Sequence, residues 1–268
     1  MQAIPSFTPS HRGGSGPPLV CLHGFTDTWR SWGLVLGRLE RHHDVFAPTL
    51  AGHAGGPPLE GAISQRTLPD AVERAMDAAG IGMAHFAGNS LGGFVALQLA
   101  ARGRARSVVA FAPAGGWAAG ERSLGKLLAS QAEMHAQLRL IAPSAGAIVR
   151  RSEGRRQVTQ LITTHFEHIP AELLAHQLVG AARCEAPVLI EYALRAGYDL
   201  EAERIACPVR IAWGTEDKLL PWPAAARRLR EDWLPQADWV ELEGVGHCPQ
   251  LDIPLETAEL ISGFTAAG

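Results

Sequence analysis

The sequence predicts a protein of the α/β class, with a mostly parallel, doubly wound sheet that is interrupted by one helical insertion. Two features of the 268-residue chain lead to this prediction. Short apolar runs alternate with longer stretches of helical periodicity, and one region between them contains few such runs. The runs are mostly continuous rather than alternating, which is typical of strands buried on both faces of a parallel sheet.

Six strands are expected, each bounded by glycine, proline or aspartate. They cover residues 18–23, 44–49, 84–89, 107–112, 208–213 and 238–243. Helices are expected between and after them, at residues 28–41, 67–79, 91–102, 222–232 and 254–265. Strands that alternate with helices in this way form right-handed βαβ crossovers. About 16 residues precede the first of these strands, which leaves room for one further strand and a turn.

The alternation stops between residues 116 and 203. Segments such as "ERSLGKLLASQAEMHAQLRLIA" and "APVLIEYALRA" have helical patterns there, and the strand pattern resumes after Cys207-Pro208. We therefore expect a core made of residues 1–115 and 204–268. The helical insert, residues 116–203, is expected to cover one end of the sheet.

Composition excludes several classes of function. The chain is 47% hydrophobic and 19% charged, with a formal net charge of −3. It has no clustered basic segment, so we expect neither a nucleic-acid nor a membrane-surface partner. The four cysteines are scattered without metal-ligand spacing, and no metal site is expected. The amino-terminal segment lacks the basic and apolar regions of a signal peptide, so a cytoplasmic location is expected.

The segment "GNSLGG" at residues 88–93 follows a predicted strand and opens a predicted helix. This pattern, G-x-S-x-G in a strand–turn–helix context, is typical of a nucleophilic serine on a tight turn. Ser90 is the candidate nucleophile. The alternative is that Ser90 only caps the helix that follows, which is a common structural role of serine.

Two further segments supply partners for Ser90. "WGTEDKLLP" at residues 213–221 follows one predicted strand, and "GVGHCPQLDIP" at residues 244–254 follows the last one. Parallel strands end at the same edge of a sheet, so Ser90, Asp217 and His247 can converge there. The alternative is that Asp217 only caps the next helix, and Glu216 is the rival acidic residue.

These segments, together with "LVCLHGF" at residues 19–25 and "PTLAGHAGG" at residues 48–56, resemble the α/β-hydrolase superfamily over nearly the whole chain. The resemblance implies the α/β-hydrolase fold with an inserted helical cap and a Ser90–Asp217–His247 triad that needs no cofactor. It selects Asp217 over Glu216. It also implies an oxyanion hole made by the backbone N–H groups of Phe25 and Leu91, and a structural role for His53.

The insert is expected to form the substrate pocket above the triad, as it does in similar proteins. Its apolar character indicates a small-molecule substrate with an apolar portion. The oligomeric state is left open. The candidate lining residues are Trp117, Leu128, Met134, Leu138, Ile162, Phe166, Leu178 and Tyr192.

The expected activity is hydrolysis of a carboxylic ester, and three alternatives remain. The "GNSLGG" elbow is also similar to that of carbon–carbon bond hydrolases that act on meta-cleavage-type diketones. A carboxylate-binding arginine in the insert, such as Arg183 or Arg195, would support that alternative. The second is a perhydrolase or haloperoxidase-type activity, and the third is a ligand receptor that does not turn over. Haloalkane and epoxide chemistry would require an aspartate where Ser90 stands.

Overall fold

The computed structural model describes residues 6–266, and the first five residues, on which part of the signal-peptide argument rests, lie outside them. The strands of the described chain form a single seven-stranded sheet in the order β1-β3-β2-β4-β5-β6-β7. Their bounds are β1 Ser10–Gly14, β2 Pro18–Leu22, β3 Asp44–Pro48, β4 Ala84–Asn89, β5 Ala105–Phe111, β6 Val209–Gly214 and β7 Asp238–Leu242. All neighbouring strands are parallel except β1, which pairs antiparallel with β3. The predicted fold class is confirmed, and β1 is the one further strand for which there was room.

The helices flank this sheet. Their bounds are α1 Gly33–Leu39, α2 Thr67–Ala78, α3 Leu91–Ala101, α4 Arg122–Ile141, α5 Ala145–Ile148, α6 Ser152–Thr159, α7 Ala171–Arg183, α8 Ala186–Ala196, α9 Pro249–Asp252 and α10 Pro254–Thr265. Helices α4 to α8 all fall between β5 and β6, where the strand pattern is interrupted in the sequence. Among residues 6–266, no helix is both long enough and apolar enough to cross a bilayer.

The core lies on both faces of the sheet. Along β2, Val20 and Leu22 belong to one hydrophobic cluster, whereas Leu19 and Cys21 belong to a second cluster on the opposite face. Successive side chains of a strand point to opposite faces, so a strand buried on both must be apolar at every position. This explains the continuous apolar runs in the sequence.

Two segments that were each predicted as one helix do not form a single regular helix in the structure. The segment predicted as a helix over residues 222–232 forms only a short 3₁₀ turn, Ala224–Ala226, and a wide turn, Leu229–Trp233. Pro221 and Pro223 at its start lack the N–H group that a regular helix uses, and the bond from Leu234 N–H to Leu229 O spans five residues. The predicted helix over residues 28–41 is likewise split into a 3₁₀ turn at Trp29–Trp32 and α1.

The sheet order places one crevice in the middle of the molecule. The chain adds β3 on one side of β2 and β4 on the other, so the connections leave the sheet in opposite directions there. Such a switch point is where open α/β sheets bind ligands, at the carboxyl ends of the strands. The loop that follows β2 and the turn that follows β4 both lie at this point.

Candidate active site

Ser90 occupies the sharp turn between β4 and α3. Its backbone has φ 53° and ψ −117°, and a positive φ is uncommon for a residue with a side chain. Ser90 stands at the N-cap position of α3, but its side chain makes no capping hydrogen bond. The structure therefore gives no support to the alternative in which Ser90 serves only as a helix cap.

Two glycines allow this turn to pack against the sheet. A Cβ on Gly92 would lie 2.3 Å from the carbonyl oxygen of Leu22, and a Cβ on Gly88 would lie 2.5 Å from the carbonyl oxygen of Gly92. Any side chain at either position would overlap backbone atoms. The glycines of the motif are thus required by the close approach of α3 to β2 and β4.

His247 and Asp217 form a buried pair. The His247 Nδ1–H group donates to Asp217 Oδ2 over 2.7 Å, and the two side chains are 3% and 0% exposed. The other carboxylate oxygen accepts from the backbone N–H groups of Leu219 and Leu220, at 2.9 and 2.7 Å. Glu216, in contrast, is exposed. The geometry thus pairs the histidine with Asp217, and among residues 6–266 Nε2 of His247 has no hydrogen-bond partner.

Asn89 connects the serine turn to the histidine loop. Its side-chain amide donates to the carbonyl oxygen of His247 over 2.9 Å and to that of Phe111 over 3.2 Å. Its Oδ1 accepts from Gln250 Nε2 at 3.2 Å. The residue next to Ser90 therefore fixes the backbone of His247. The G-x-S-x-G pattern predicts roles for its serine and its glycines. It does not indicate that Asn89 binds the backbone of His247.

The loop after β2 lies beside Ser90. A Cβ on Gly24 would lie 3.4 Å from Cβ of Ser90, so the loop backbone passes close to the serine. His23 fixes this loop, because its Nδ1–H donates to Gly24 O at 2.8 Å and its Nε2 accepts from Leu50 N–H at 2.9 Å. Burial lowers the pKa of His23 well below its usual value, which keeps the ring neutral and able to accept.

The N–H groups of Phe25 and Leu91 are the candidate oxyanion donors. Within residues 6–266, neither N–H donates to another protein group. Both residues line the crevice together with Ser90. Two unpartnered N–H groups next to a nucleophile are what stabilisation of an oxyanion requires.

His53 lies behind this loop rather than in it. Its ring meets those of His23 and Phe25 edge-on, with centroid distances of 5.0 and 6.0 Å. Its Nδ1–H donates to Ala51 O at 3.0 Å, and burial lowers its pKa to about 4. This position fits the structural role that the family resemblance implied for His53.

Two cavities meet at Ser90. The first, which we call the α3 cavity, is bounded by Phe94 and Val95 of α3 and by α8 residues such as Ile190. The second, the larger histidine cavity, contains His247. Ser90 and Phe25 line both cavities, whereas His247 lines only the second.

The predicted pocket residues divide between these cavities. The α3 cavity is lined by Trp117, Leu128 and Tyr192. The histidine cavity is lined by Met134, Leu138, Ile162 and Leu178. Phe166 was expected to line the pocket, but it lines neither cavity. It lies on the loop before α7 and packs against a hydrophobic cluster that contains Leu251, Leu174 and Ile169, of which Leu174 lines the histidine cavity.

Sequence reasoning missed two acidic side chains near the site. Asp27 lines the histidine cavity, and burial raises its pKa to about 6. Asp252 is fully buried and accepts backbone N–H bonds from Gly246, Thr164 and His165. Asp27 lies two residues after Phe25, and Asp252 lies five residues after His247. Proximity to these two motifs is the only signal in the sequence that could have indicated either carboxylate.

The sheet order and the serine turn define a class of protein, the α/β hydrolases. A model described as the alpha/beta hydrolase family matches residues 19–260, and the chain belongs to that family. A similar protein is the epoxide hydrolase EphH of Mycobacterium tuberculosis, 33% identical over 209 residues, which covers 75% of this chain and 95% of that protein.

Two further comparisons extend over most of the chain. The pimeloyl-[acyl-carrier protein] methyl ester esterase of Neisseria meningitidis is 28% identical, with 91% of each chain covered. Among solved structures, the carboxylesterase CesB of Bacillus subtilis matches with a TM-score of 0.71 at 18% identity, over 99% of this chain and 90% of that one. At that identity the structural match concerns the fold alone.

Proposed function

We propose that the protein is a cofactor-independent serine hydrolase that cleaves carboxylic ester bonds through an acyl-enzyme on Ser90. The observation that carries the proposal is the buried His247–Asp217 pair, which opens onto the same cavity as Ser90. A serine hydroxyl is a weak nucleophile and needs a base that a third group holds in place. One of the similar proteins, the Neisseria meningitidis relative, is named as an esterase, which supports this reaction class.

In the first half of the reaction, His247 Nε2 accepts the Ser90 proton as Oγ attacks the ester carbonyl carbon. Asp217 holds the imidazole with Nδ1 protonated and stabilises the imidazolium that forms. The carbonyl oxygen becomes an oxyanion and is bound by the N–H groups of Phe25 and Leu91. When the tetrahedral intermediate collapses, the ester C–O bond breaks and His247 gives its proton to the departing alkoxide.

In the second half, a water molecule takes the place of the alcohol. His247 removes a proton from this water as its oxygen attacks the acyl carbon of the Ser90 ester. The second tetrahedral intermediate releases the carboxylic acid, and the proton returns from His247 to Ser90 Oγ. Both halves use the same donors and the same base, so no further group is required.

The name of one relative, epoxide hydrolase, makes epoxide opening an alternative to weigh. If a serine opened an epoxide, its oxygen would form an ether to the substrate carbon, and water could not hydrolyse that ether under the same catalysis. An aspartate would instead form an ester, which water can cleave. The serine at position 90 therefore favours acyl transfer over epoxide opening.

Carbon–carbon bond hydrolysis uses the same triad, but a diketone substrate of the meta-cleavage type carries a carboxylate. Arg183 and Arg195 were the candidates to bind it. Both are exposed and neither is among the described residues that line the two cavities. The acidic side chain of Asp27 lines the histidine cavity instead. This distribution of charge favours an ester substrate without a carboxylate.

The proposal includes a role for the helical insert as a cap over a core formed by residues 1–115 and 204–268. Helix α4 contributes residues to the walls of both cavities, α8 to the wall of the α3 cavity and α7 to the wall of the histidine cavity. The side chains that decide which substrate fits therefore come largely from residues 116–203.

Steady-state hydrolysis of p-nitrophenyl esters from acetyl to decanoyl tests the proposed function. We expect multiple turnovers with a chain-length optimum, since the α3 cavity has an apolar wall of limited size. The Ser90→Ala protein, folded as judged by circular dichroism, should show no turnover above background. Activity that survives in this variant would contradict the nucleophile assignment. Binding of esters without turnover by the wild type would favour a receptor.

A further inference from the structure

The two cavities receive different parts of an ester. In the proposed mechanism, on which this inference rests, His247 protonates the departing oxygen and must lie within hydrogen-bond reach of it. His247 lines only the histidine cavity. The alcohol portion therefore occupies the histidine cavity and the acyl chain occupies the α3 cavity, with the carbonyl carbon at Ser90 between them.

The wall of the histidine cavity is mostly apolar, but it also contains several hydrogen-bonding side chains. Asp27 is its one carboxylate outside the triad, and no lysine or arginine is among the described residues that line it. Six side-chain amides also line this cavity, those of Asn89, Gln131, Gln137, Gln157, Gln160 and Gln177. A cavity with this lining disfavours an anionic group and offers many hydrogen-bond acceptors to an uncharged polar one.

Asp27 is held in a fixed position. Its Oδ1 accepts the backbone N–H of Thr28 at 2.7 Å, and its Oδ2 accepts Gln177 Nε2 at 2.8 Å. A carboxylate has about four acceptor sites, so two remain after these bonds. Burial raises the pKa of this side chain, which indicates that the protein leaves its charge incompletely compensated.

Two further polar atoms, on residues that line this cavity, also lack partners. Within residues 6–266, Gln177 Oε1 and His135 Nε2 are buried and form no hydrogen bond. His135 lies on α4 and is 5% exposed. Buried polar groups are nearly always paired, so unpaired ones in a cavity wall indicate a polar ligand that completes them.

We propose that the histidine cavity binds an uncharged, hydroxyl-bearing alcohol portion, with Asp27 and Gln177 as acceptors of its hydroxyl protons. The substrate class is then a monoester of a polyol, in which an apolar acyl chain lies along α3 and the polyol lies beneath α4 and α7. Asp27 is a specificity residue in this assignment and takes no part in bond breaking.

The test compares two esters of the same acid, 2,3-dihydroxypropyl butyrate and n-propyl butyrate, by titration of the acid released. The alcohol portions have the same carbon chain and differ only in two hydroxyl groups. We expect the wild type to have a kcat/KM at least about tenfold higher for the dihydroxypropyl ester, the effect of one or two well-made hydrogen bonds. A ratio near one, or below it, would overturn the inference.

Asp27→Asn is the informative variant, because asparagine keeps the shape of the side chain and can still accept from Thr28. It should lower the ratio of the two kcat/KM values by about three- to tenfold. Asp238→Asn is the matched control, since Asp238 pairs with Arg210 and lines neither cavity. It should leave the ratio at the wild-type value. If Asp27→Asn lowers both kcat/KM values equally, Asp27 only supports the oxyanion loop and the inference fails.

A third substrate separates this inference from the proposed function. The 2-aminoethyl ester carries an ammonium group, and a preference for it over the dihydroxypropyl ester would overturn the assignment to an uncharged polyol. Turnover of p-nitrophenyl esters without any preference for the polyol would overturn the inference alone. Absence of turnover on every ester would overturn the proposed function.

Discussion

At the scale of single residues, the site depends on groups whose charge or conformation is unfavourable in isolation. Ser90 has a positive φ, and Asp217 is a fully buried carboxylate. Each is stabilised by specific neighbours: the serine turn by Gly88 and Gly92, and the carboxylate by two backbone N–H groups and His247. Strain and buried charge of this kind persist where the surrounding structure fixes them, which is common at functional sites.

The first prediction concerns Asp217. In Asp217→Asn the neutral amide can no longer hold the Nδ1-protonated form of His247, so Nε2 carries the proton and cannot accept one from Ser90. We expect kcat for ester hydrolysis to fall by about 10⁴-fold, as in serine hydrolases whose triad aspartate is changed in the same way. Glu216→Gln, at the exposed neighbouring position, is the control and should retain activity. Equal losses in the two variants would remove Asp217 from its assigned role.

The second prediction concerns the stability cost of Asp27. Burial raises its pKa to about 6, whereas an unfolded aspartate titrates near 3.8. The folded state therefore holds the proton more tightly than the unfolded state, and stability falls as pH rises through the window between these values. Above pH 6 the full cost is present, at most about 3 kcal/mol.

The asparagine variant removes this cost only where the carboxylate is charged. We expect Asp27→Asn to raise the melting temperature by about 2–5 °C at pH 8 and to change it by less than about 1 °C at pH 4. Thermal unfolding at both pH values measures the effect. An increase that is the same at pH 4 and pH 8 would show that the charge of Asp27 is not its cause.

At the scale of elements, the helical insert is bound to the core at two loops that carry the proposed chemistry. Helix α7 holds the loop after β2, through Gln177 to Asp27 and His176 Nε2 to the hydroxyl of Thr28. The segment after α6 holds the histidine loop, because Cys248 N–H donates to Ile162 O at 2.8 Å. In addition, the Asp252 carboxylate accepts from His165 N–H in the insert and from Gly246 N–H in the histidine loop. The insert therefore helps to position the two loops of the candidate site.

The third prediction tests the second of these connections. An asparagine at position 252 offers one acceptor oxygen to the three N–H groups of Gly246, Thr164 and His165. At least one buried N–H is then left unpaired, at a cost of about 3 kcal/mol. We expect Asp252→Asn to lower the melting temperature by about 5–10 °C.

The activity of Asp252→Asn should fall together with its stability, because Gly246 precedes His247, the proposed base. We expect a lower kcat with a smaller change in KM, measured on the best p-nitrophenyl ester. Asp77→Asn, an exposed carboxylate that pairs with Arg104, serves as the control for both measurements. If Asp252→Asn melts and turns over as the wild type does, the loop is not held by this carboxylate.

The fourth prediction concerns the packing of α3. A methyl group at position 92 would lie 2.3 Å from Leu22 O and 2.5 Å from His23 O, both backbone atoms that cannot move independently. Gly92→Ala should destabilise the protein by about 3 kcal/mol or more, measured by urea unfolding. Gly125→Ala in α4 is the control. Its added methyl meets nothing within 4 Å and should stabilise by up to about 1 kcal/mol. Equal stability of the two variants would contradict the close packing described for α3.

At the scale of the whole molecule, the parts that were predictable from the sequence are those with a strong local signal. Strand β4 and the turn at Ser90 were predictable because a continuous apolar run is followed by glycines at the spacing of the G-x-S-x-G motif. Parallel topology then brought Asp217 and His247 to the same edge of the sheet. The convergence of Ser90, Asp217 and His247 could be inferred here because each lies in the turn or loop that follows a parallel strand.

Other features depend on contacts that no local pattern reports. The segment over residues 222–232 has helical composition, but two prolines and tertiary packing prevent a regular helix. Phe166 is apolar, as a pocket residue would be, yet the connection of its loop to Asp252 turns it toward another cluster. Asp27 and Gln177 are 150 positions apart in the chain, so only the folded structure reveals their hydrogen bond.

The central claim is that Ser90 is a nucleophile activated by His247. Intact-mass spectrometry after treatment with a fluorophosphonate tests it most directly, since the reagent phosphonylates an activated serine. We expect one adduct per wild-type chain, located at Ser90 by peptide mapping, no adduct in Ser90→Ala and labelling slowed by at least about 100-fold in His247→Gln. Labelling of Ser90→Ala at the wild-type rate, or of the wild type at another residue, would contradict the account.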